Sequence, residues 1–140
     1  MTKIHFEAPS PEDYCNLRAN AGMSSKSIEA AIKGLPHACF NVTLYENDML
    51  IGMGRVIGDG GTVFQIVDIA VKDIYQGLGH GMAIMHEIMK YIESVAEEGT
   101  YVSLIADYPA DQLYEKFGFK STEPYSKGCL LYTSPRPRDR

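Results

Sequence analysis

The sequence predicts a mixed α/β domain: one central sheet of about six to seven strands, with a parallel pair inside it and about four flanking helices. Three observations lead there. A chain of 140 residues, 45% hydrophobic and 22% charged, has room for one core but not for two ordinary domains or a large barrel. Short apolar runs, alternating or continuous, recur between turn signals through the first half. Past the middle the apolar spacing lengthens to four and three, and a further strand-like run follows; a strand, a crossover helix and a strand make two parallel neighbours.

Residues 3–8 (KIHFEA) alternate, with Ile4 and Phe6 on one face, and read as a first strand. Ser10 can cap a helix whose first position suits Pro11, with Glu12 and Asp13 at the positive end of its dipole; this helix fades near Asn20–Gly22. A second short helix starts around Ser24–Ser27, presents Ile28, Ala31, Ile32 and Leu35, and stops at Gly34–Pro36. Residues 38–46 and 49–57 are two strands of a hairpin turning at Asn47-Asp48. Gly58-Asp59-Gly60-Gly61 is a flexible turn into 62–71 (TVFQIVDIAV), apolar enough for the sheet centre. A long helix then runs to about Glu97 and closes at Gly99, with Leu78, Met82, Met85, Met89, Ile92 and Ala96 as its buried stripe. Strands at 101–106, near 119–123 and at 128–133, and a short helix at 109–116, complete the domain over residues 1–132. The tail 133–140, rich in Pro and Arg, cannot continue a sheet and reads as disordered or foreign to the fold.

Composition narrows the function. The net charge is −5 and the basic tail makes the body more acidic still, which argues against a nucleic-acid partner held by its phosphates. No apolar run approaches the roughly 18 residues of a membrane helix, and the N-terminus lacks the apolar stretch of a secretory signal; the expectation is a cytoplasmic protein with no membrane partner. Cys15, Cys39 and Cys129 are scattered and odd in number, so they read as reduced thiols and not as a disulfide frame or zinc site. The histidines are isolated; His80 and His86 are six apart on the helix and form no metal pair, so no metal is expected.

The strongest chemistry lies in Gln76-Gly77-Leu78-Gly79-His80-Gly81, between a buried strand and a long helix. Alternate glycines let the main chain approach a ligand and adopt backbone angles closed to other residues. The first amides of a helix are unpaired and the dipole adds positive charge, which together suit a pyrophosphate. This is no P-loop, because Met82-Ala83 follow the last glycine where a lysine and a hydroxyl would be needed; the glycines at 77, 79 and 81 do not match the dinucleotide fingerprint either.

VDIAVKDIYQGLGHG resembles the central motif of the GNAT superfamily of acyl-CoA N-acyltransferases, a Q/R-x-x-G-x-G/A turn after a strand ending in Ala-Val; Gln76, Gly79 and Gly81 match it. Downstream, Ala110-Asp111-Gln112-Leu113-Tyr114-Glu115-Lys116-Phe117-Gly118-Phe119 is similar to the family's A-x-x-L/F-Y-x-x-x-G-F segment. The resemblance covers about residues 3–132 and implies a GNAT fold with acetyl-CoA as co-substrate, lying in a V between the splayed strands 62–71 and 101–106. It implies pantetheine pairing to the main chain of Ile69, Ala70 and Val71, and pyrophosphate held by the amides of Gln76, Gly77, Leu78, Gly79, His80 and Gly81. It also implies Tyr114 as the proton donor to the departing sulfur, a role a phenol with a pKa near 10 can fill.

The implied reaction is N-acetylation of a primary amine by direct attack in a ternary complex. An amine with a pKa near ~10.4 must lose a proton, yet Gln65, at the place where some relatives carry a base, cannot take it. Asp68 should face the other way on a regular strand unless a bulge re-aims it; a hydrogen-bonded carboxylate and a water relay stay open beside it. Asp107 stands where the family often has Asn. The acceptor, a small molecule or a lysine-like amine, should lie over the 10–36 helices beside Gln65 and Val67. The other class of function is a non-catalytic acyl-CoA-binding regulatory module. A homodimer through the last strands stays open.

Overall fold

The computed structural model describes residues 1–104, 117–118, 120–121 and 129–132. Among the described residues there are seven strands and three α-helices: β1 (Thr2–His5), α1 (Pro11–Asn20), α2 (Ile28–Gly34), β2 (Phe40–Glu46), β3 (Met49–Gly58), β4 (Val63–Val71), α3 (His80–Val95), β5 (Tyr101–Leu104), β6 (Lys120–Ser121) and β7 (Cys129–Tyr132). The strands form one seven-stranded sheet in the order β1-β2-β3-β4-β5-β7-β6. Only β4 and β5 run parallel among these neighbours, as the crossover through α3 requires. The fourth helix expected at 109–116, the end of the 101–106 strand and the tail lie outside the described residues.

The helix starts follow their caps. Ser10 accepts from Asp13 N at 3.1 Å with Pro11 in the first turn, and Ser27 accepts from Ala30 N at 3.0 Å. The hairpin turns through Asn47 and Asp48, both at positive φ (50° and 67°), the backbone that suits a two-residue connection between twisted strands. The turn before β4 is tighter than its glycines suggest. The Asp59 carboxylate accepts from the amides of Gly61 (2.9 Å), Thr62 (2.8 Å) and Val63 (3.2 Å) and from the Thr62 hydroxyl, which holds its carboxyl far below the usual range. β1 begins one residue early and stops at His5; it is an edge strand, and Ile4 and Phe6 are exposed instead of forming a buried face.

Two cores flank the sheet. On one side α3 covers Val42, Leu44, Val56, Phe64, Ile66, Val102 and Leu104. On the other, Tyr14 and Leu17 of α1 and Ala31 of α2 cover Leu50, Met53 and Ala70. Of the expected stripe Met85, Ile92 and Ala96 are buried, Met82 and Met89 are half-buried and Leu78 is 67% exposed; the buried face is rolled toward Ile84 and Ile88, which the stripe left out. Gly52 and Gly54 are the cause. A Cβ on Gly54 would stand 2.7 Å from Ile84 Cγ2 and 3.0 Å from Ile88 Cδ1, and one on Gly52 would stand 3.2 Å from Ile84 Cδ1. The bare strand draws the branched side chains down and rolls the helix onto them. α3 ends at Val95 with Ala96 as its cap, two residues before the expected Glu97; Gly99 (φ +84°) turns the chain that follows. There Thr100, almost wholly buried, accepts from Glu97 N at 2.8 Å and donates to Gly61 O at 2.9 Å.

The Gly54 contact is testable. Gly54→Ala should lose about 1–3 kcal/mol of stability by overpacking against Ile84 and Ile88, read as a lower denaturant midpoint at unchanged slope.

Candidate active site

A cavity of about 420 Å³ opens where β4 hands over to α3. Of the nine residues the sequence assigns to the donor, eight line it: Ile69, Ala70 and Val71 at the strand end, Gln76, Gly77 and Gly79 in the turn, and His80 and Gly81 at the helix start. Leu78 does not line it; its side chain points to solvent. Tyr75 and Met82, which the sequence reading did not select, complete the wall. Gln76 Nε2 donates to Val71 O at 2.8 Å and closes the turn on the strand. Gly77 and Gly79 sit at φ +80° and +90°, and an added Cβ at either would meet nothing within 4 Å. Backbone angle, not crowding, therefore demands glycine here, and the peptide face is left open. No side chain caps α3 and its first turn holds no acidic residue, so its leading amides face the cavity region uncompensated. These features fit a pyrophosphate, and the volume suits a small-molecule site.

The strand that feeds this cavity is bulged. Arg55 pairs with Val67 and Met53 with Ala70, so Asp68 and Ile69 together oppose the single residue Gly54. Asp68 takes φ +60°, unusual for a residue with a side chain. The extra residue reverses the alternation. Phe64 and Ile66 face the α3 core, and regular pleating would send residues 68 and 70 the same way. Instead Asp68 reaches α1 and Ala70 joins the α1–α2 core, while Ile69 and Val71 pack toward α3.

So aimed, Asp68 is 7% exposed and collects three donors. Arg18 Nη1 donates to Oδ1; Arg55 Nε and the Tyr14 hydroxyl donate to Oδ2, at 2.8 and 2.9 Å. Arg18 also donates through Nε and Nη2 to Ser24 O, at 3.0 and 2.8 Å, which ties the segment after α1 to the same carboxylate. The carboxylate is committed to holding α1 on the sheet, the hydrogen-bonded role among those open for it. Burial first, then the Asp68 charge and hydrogen bond, push the Tyr14 phenol up to about 12. The sequence reading did not foresee Arg55 as a site residue or Tyr14 as a partner. The signal was one Asp and one Arg, the only charged residues of β4 and β3, since buried charges need partners.

Tyr114 and Asp107 lie outside the described residues. Gln65 sits on β4 opposite Ser103 of β5. His86 is exposed, its ring 5.4 Å from that of Phe117. Among the described residues no group of three His, Cys, Asp or Glu could hold a metal, and no helix is long and apolar enough to cross a membrane.

Comparison with known proteins gives a consistent set of relatives. The acetyltransferase (GNAT) domain family matches residues 12–130. An uncharacterized N-acetyltransferase of Porphyra purpurea is 31% identical over 111 residues, 76% of this chain and 61% of that protein. One of Schizosaccharomyces pombe is 33% identical over 98 residues, 66% of this chain and 58% of that protein. The chain thus spans about three fifths of the length of these curated relatives. A crystal structure from methicillin-resistant Staphylococcus aureus, of a protein of unknown function described as a probable acetyltransferase, is 65% identical, with a TM-score of 0.88 over 96% of this chain and 99% of that one. The Escherichia coli ribosomal-protein-S18-alanine N-acetyltransferase shares the fold, with a TM-score of 0.73 at 17% identity over 100% of this chain and 99% of that one.

Two outcomes follow from the Asp68 cluster. Asp68→Asn strands two buried guanidiniums and should cost about 3–5 kcal/mol in denaturant unfolding. Tyr14 has a raised folded-state pKa, so its contribution to stability is complete below pH 10 and is lost as pH rises toward about 12. The wild type should therefore lose stability relative to Tyr14→Phe across that window, and ultraviolet titration should lack one late-ionising tyrosine in the variant.

Proposed function

The chain belongs to the GNAT acetyltransferase family, and on that footing we propose that it transfers an acetyl group from acetyl-CoA to a primary amine by direct attack in a ternary complex. One observation carries the proposal: the strand end and glycine turn that the family motif marks come together around a single cavity.

Acetyl-CoA supplies the activated thioester carbonyl. The chain's own residues supply the rest. Main-chain groups of Ile69–Val71 give the strand-like edge that an amide-bearing arm can pair with. The amides from Gly77 into α3, with the helix dipole behind them, hold the diphosphate. A main-chain N–H by the bulge is the donor for the developing oxyanion. Asp68 is occupied by two guanidiniums and a phenol, so the amine proton leaves to solvent through water. Tyr114 returns a proton to the departing sulfur, an assignment that rests on the Ala110–Phe119 sequence pattern alone. The acceptor enters from the α1–α2 side. In this reading the protein works in the cytoplasm without a metal.

Calorimetry with acetyl-CoA and thiol release over a panel of amines test the proposal. Binding together with acceptor-dependent release is expected; binding without release under every amine would mark a non-catalytic module. Gly79→Ala, forced to φ +90°, should weaken CoA binding by about tenfold. Tyr114→Phe should slow turnover and leave CoA affinity nearly intact, and a fully active variant would remove Tyr114 from the mechanism.

A further inference from the structure

Across the bulge from the donor cavity lies a second one, of about 160 Å³, walled by Tyr14, Ala31, Leu35 and Arg55, with the exposed Lys26 beside it. The two cavities share no lining residue. Asp68 connects them: it precedes Ile69 of the first and accepts from Arg55 of the second.

Two features of this second cavity call for a negative ligand. Arg55 Nε is used on Asp68, but Arg55 Nη1 is buried with no partner. A guanidinium cannot give up its proton, and although its Cζ lies 5.7 Å from the Tyr14 ring centroid, the group is one hydrogen bond short. The charges also do not balance. Arg18 and Arg55 bring two cations to one carboxylate, and no acidic side chain lines the cavity, where Lys26 adds a third positive group. Arg18 is spent on Asp68 and Ser24, so the surplus falls on Arg55. Asn41, the cross-strand partner of Arg55, has a buried Oδ1 that is also without a partner. A water between the two atoms would satisfy both hydrogen bonds but carries no charge to offset the surplus.

Resting on the acetyl-transfer reading, we infer that the acceptor is a small amine bearing a carboxylate, which docks on the Arg55 guanidinium where it lines the cavity, with Lys26 nearby. One surplus charge in the Asp68 cluster matches one carboxylate. A cavity of this size takes a group about as large as benzene, hence a carboxylate and a few carbons. Arg55 is thereby a specificity-determining residue and Asp68 the positioning residue that orients it.

Matched acceptors test this by thiol release from acetyl-CoA: glycine against methylamine, β-alanine against ethylamine, lysine against cadaverine, with phosphoethanolamine as a phosphate arm. The carboxylate-bearing member of the best pair should have a kcat/KM at least about tenfold higher. Lys26→Gln and Arg55→Lys should shrink that ratio by raising KM for the carboxylate member, and Lys26, on the surface, keeps the test open if the Arg55 variant fails to fold. Ratios near one in every pair, or a preference for phosphoethanolamine, would overturn the inference and leave acetyl transfer standing. Should no amine be acetylated, the acetyl-transfer reading fails by itself, and nuclear magnetic resonance with propionate then decides the anion site. A shift of the Arg55 side-chain signal, weakened in Lys26→Gln, supports it; an unmoved signal overturns it.

Discussion

A carboxylate on a residue in left-handed backbone ties α1 and β3 to the strand that feeds the cavity. Asp68 is the only charged residue of a largely apolar strand, and leaving it unpaired there would be expensive. Its three donors come from α1 and β3, so satisfying the charge docks a helix to the sheet. α1 has little apolar face of its own and buries Arg18 alongside Tyr14 and Leu17. Charge pairing therefore does in this interface much of what the isoleucine stripe does on α3.

The cavity at the end of β4 depends on the same irregularity. Without the extra residue opposite Gly54, pleating would exchange the faces of Ile69, Ala70 and Val71, and the strand end would offer the cavity a different set of groups. The glycine turn then acts at its proper distance because its ends are fixed. Gln76 is bonded back to Val71, and the Asp73 amide is held by Asn20 at 2.8 Å. Local backbone freedom at Gly77 and Gly79 is thus set inside a rigid frame.

Much of this was legible in the sequence, wherever local chemistry decides. Ser10-Pro11 and Ser27 mark helix starts because capping is a short-range interaction, and Asn47-Asp48 marks a hairpin for the same reason. The Gln76–Gly81 turn could be read because glycine at a helix start has few other uses. What escaped was set by partners distant in the chain. The face of α3 depends on two glycines of β3, and Ile84 and Ile88 are as apolar as Met82 and Met89, so periodicity alone does not choose between them. Asp68 finds Arg18 fifty positions away, and nothing in the pattern of either segment names the other. Asp59 turned a glycine run that looked loose into an ordered turn through one side chain.

The buried Thr100 hydroxyl has a bearing on how the chain assembles. It joins Gly61 across a separation of 39 residues, and Tyr101 N donates to Thr62 O at 2.9 Å beside it. The excursion through β4, the glycine turn and α3 is therefore a closed ring with its clasp at one point. Bringing such ends together costs on the order of 3 kcal/mol in chain entropy before any contact inside the ring rewards it. The crossover thus starts from an entropic deficit that the β4–β5 pairing beside the clasp and the packing of α3 on the sheet must offset.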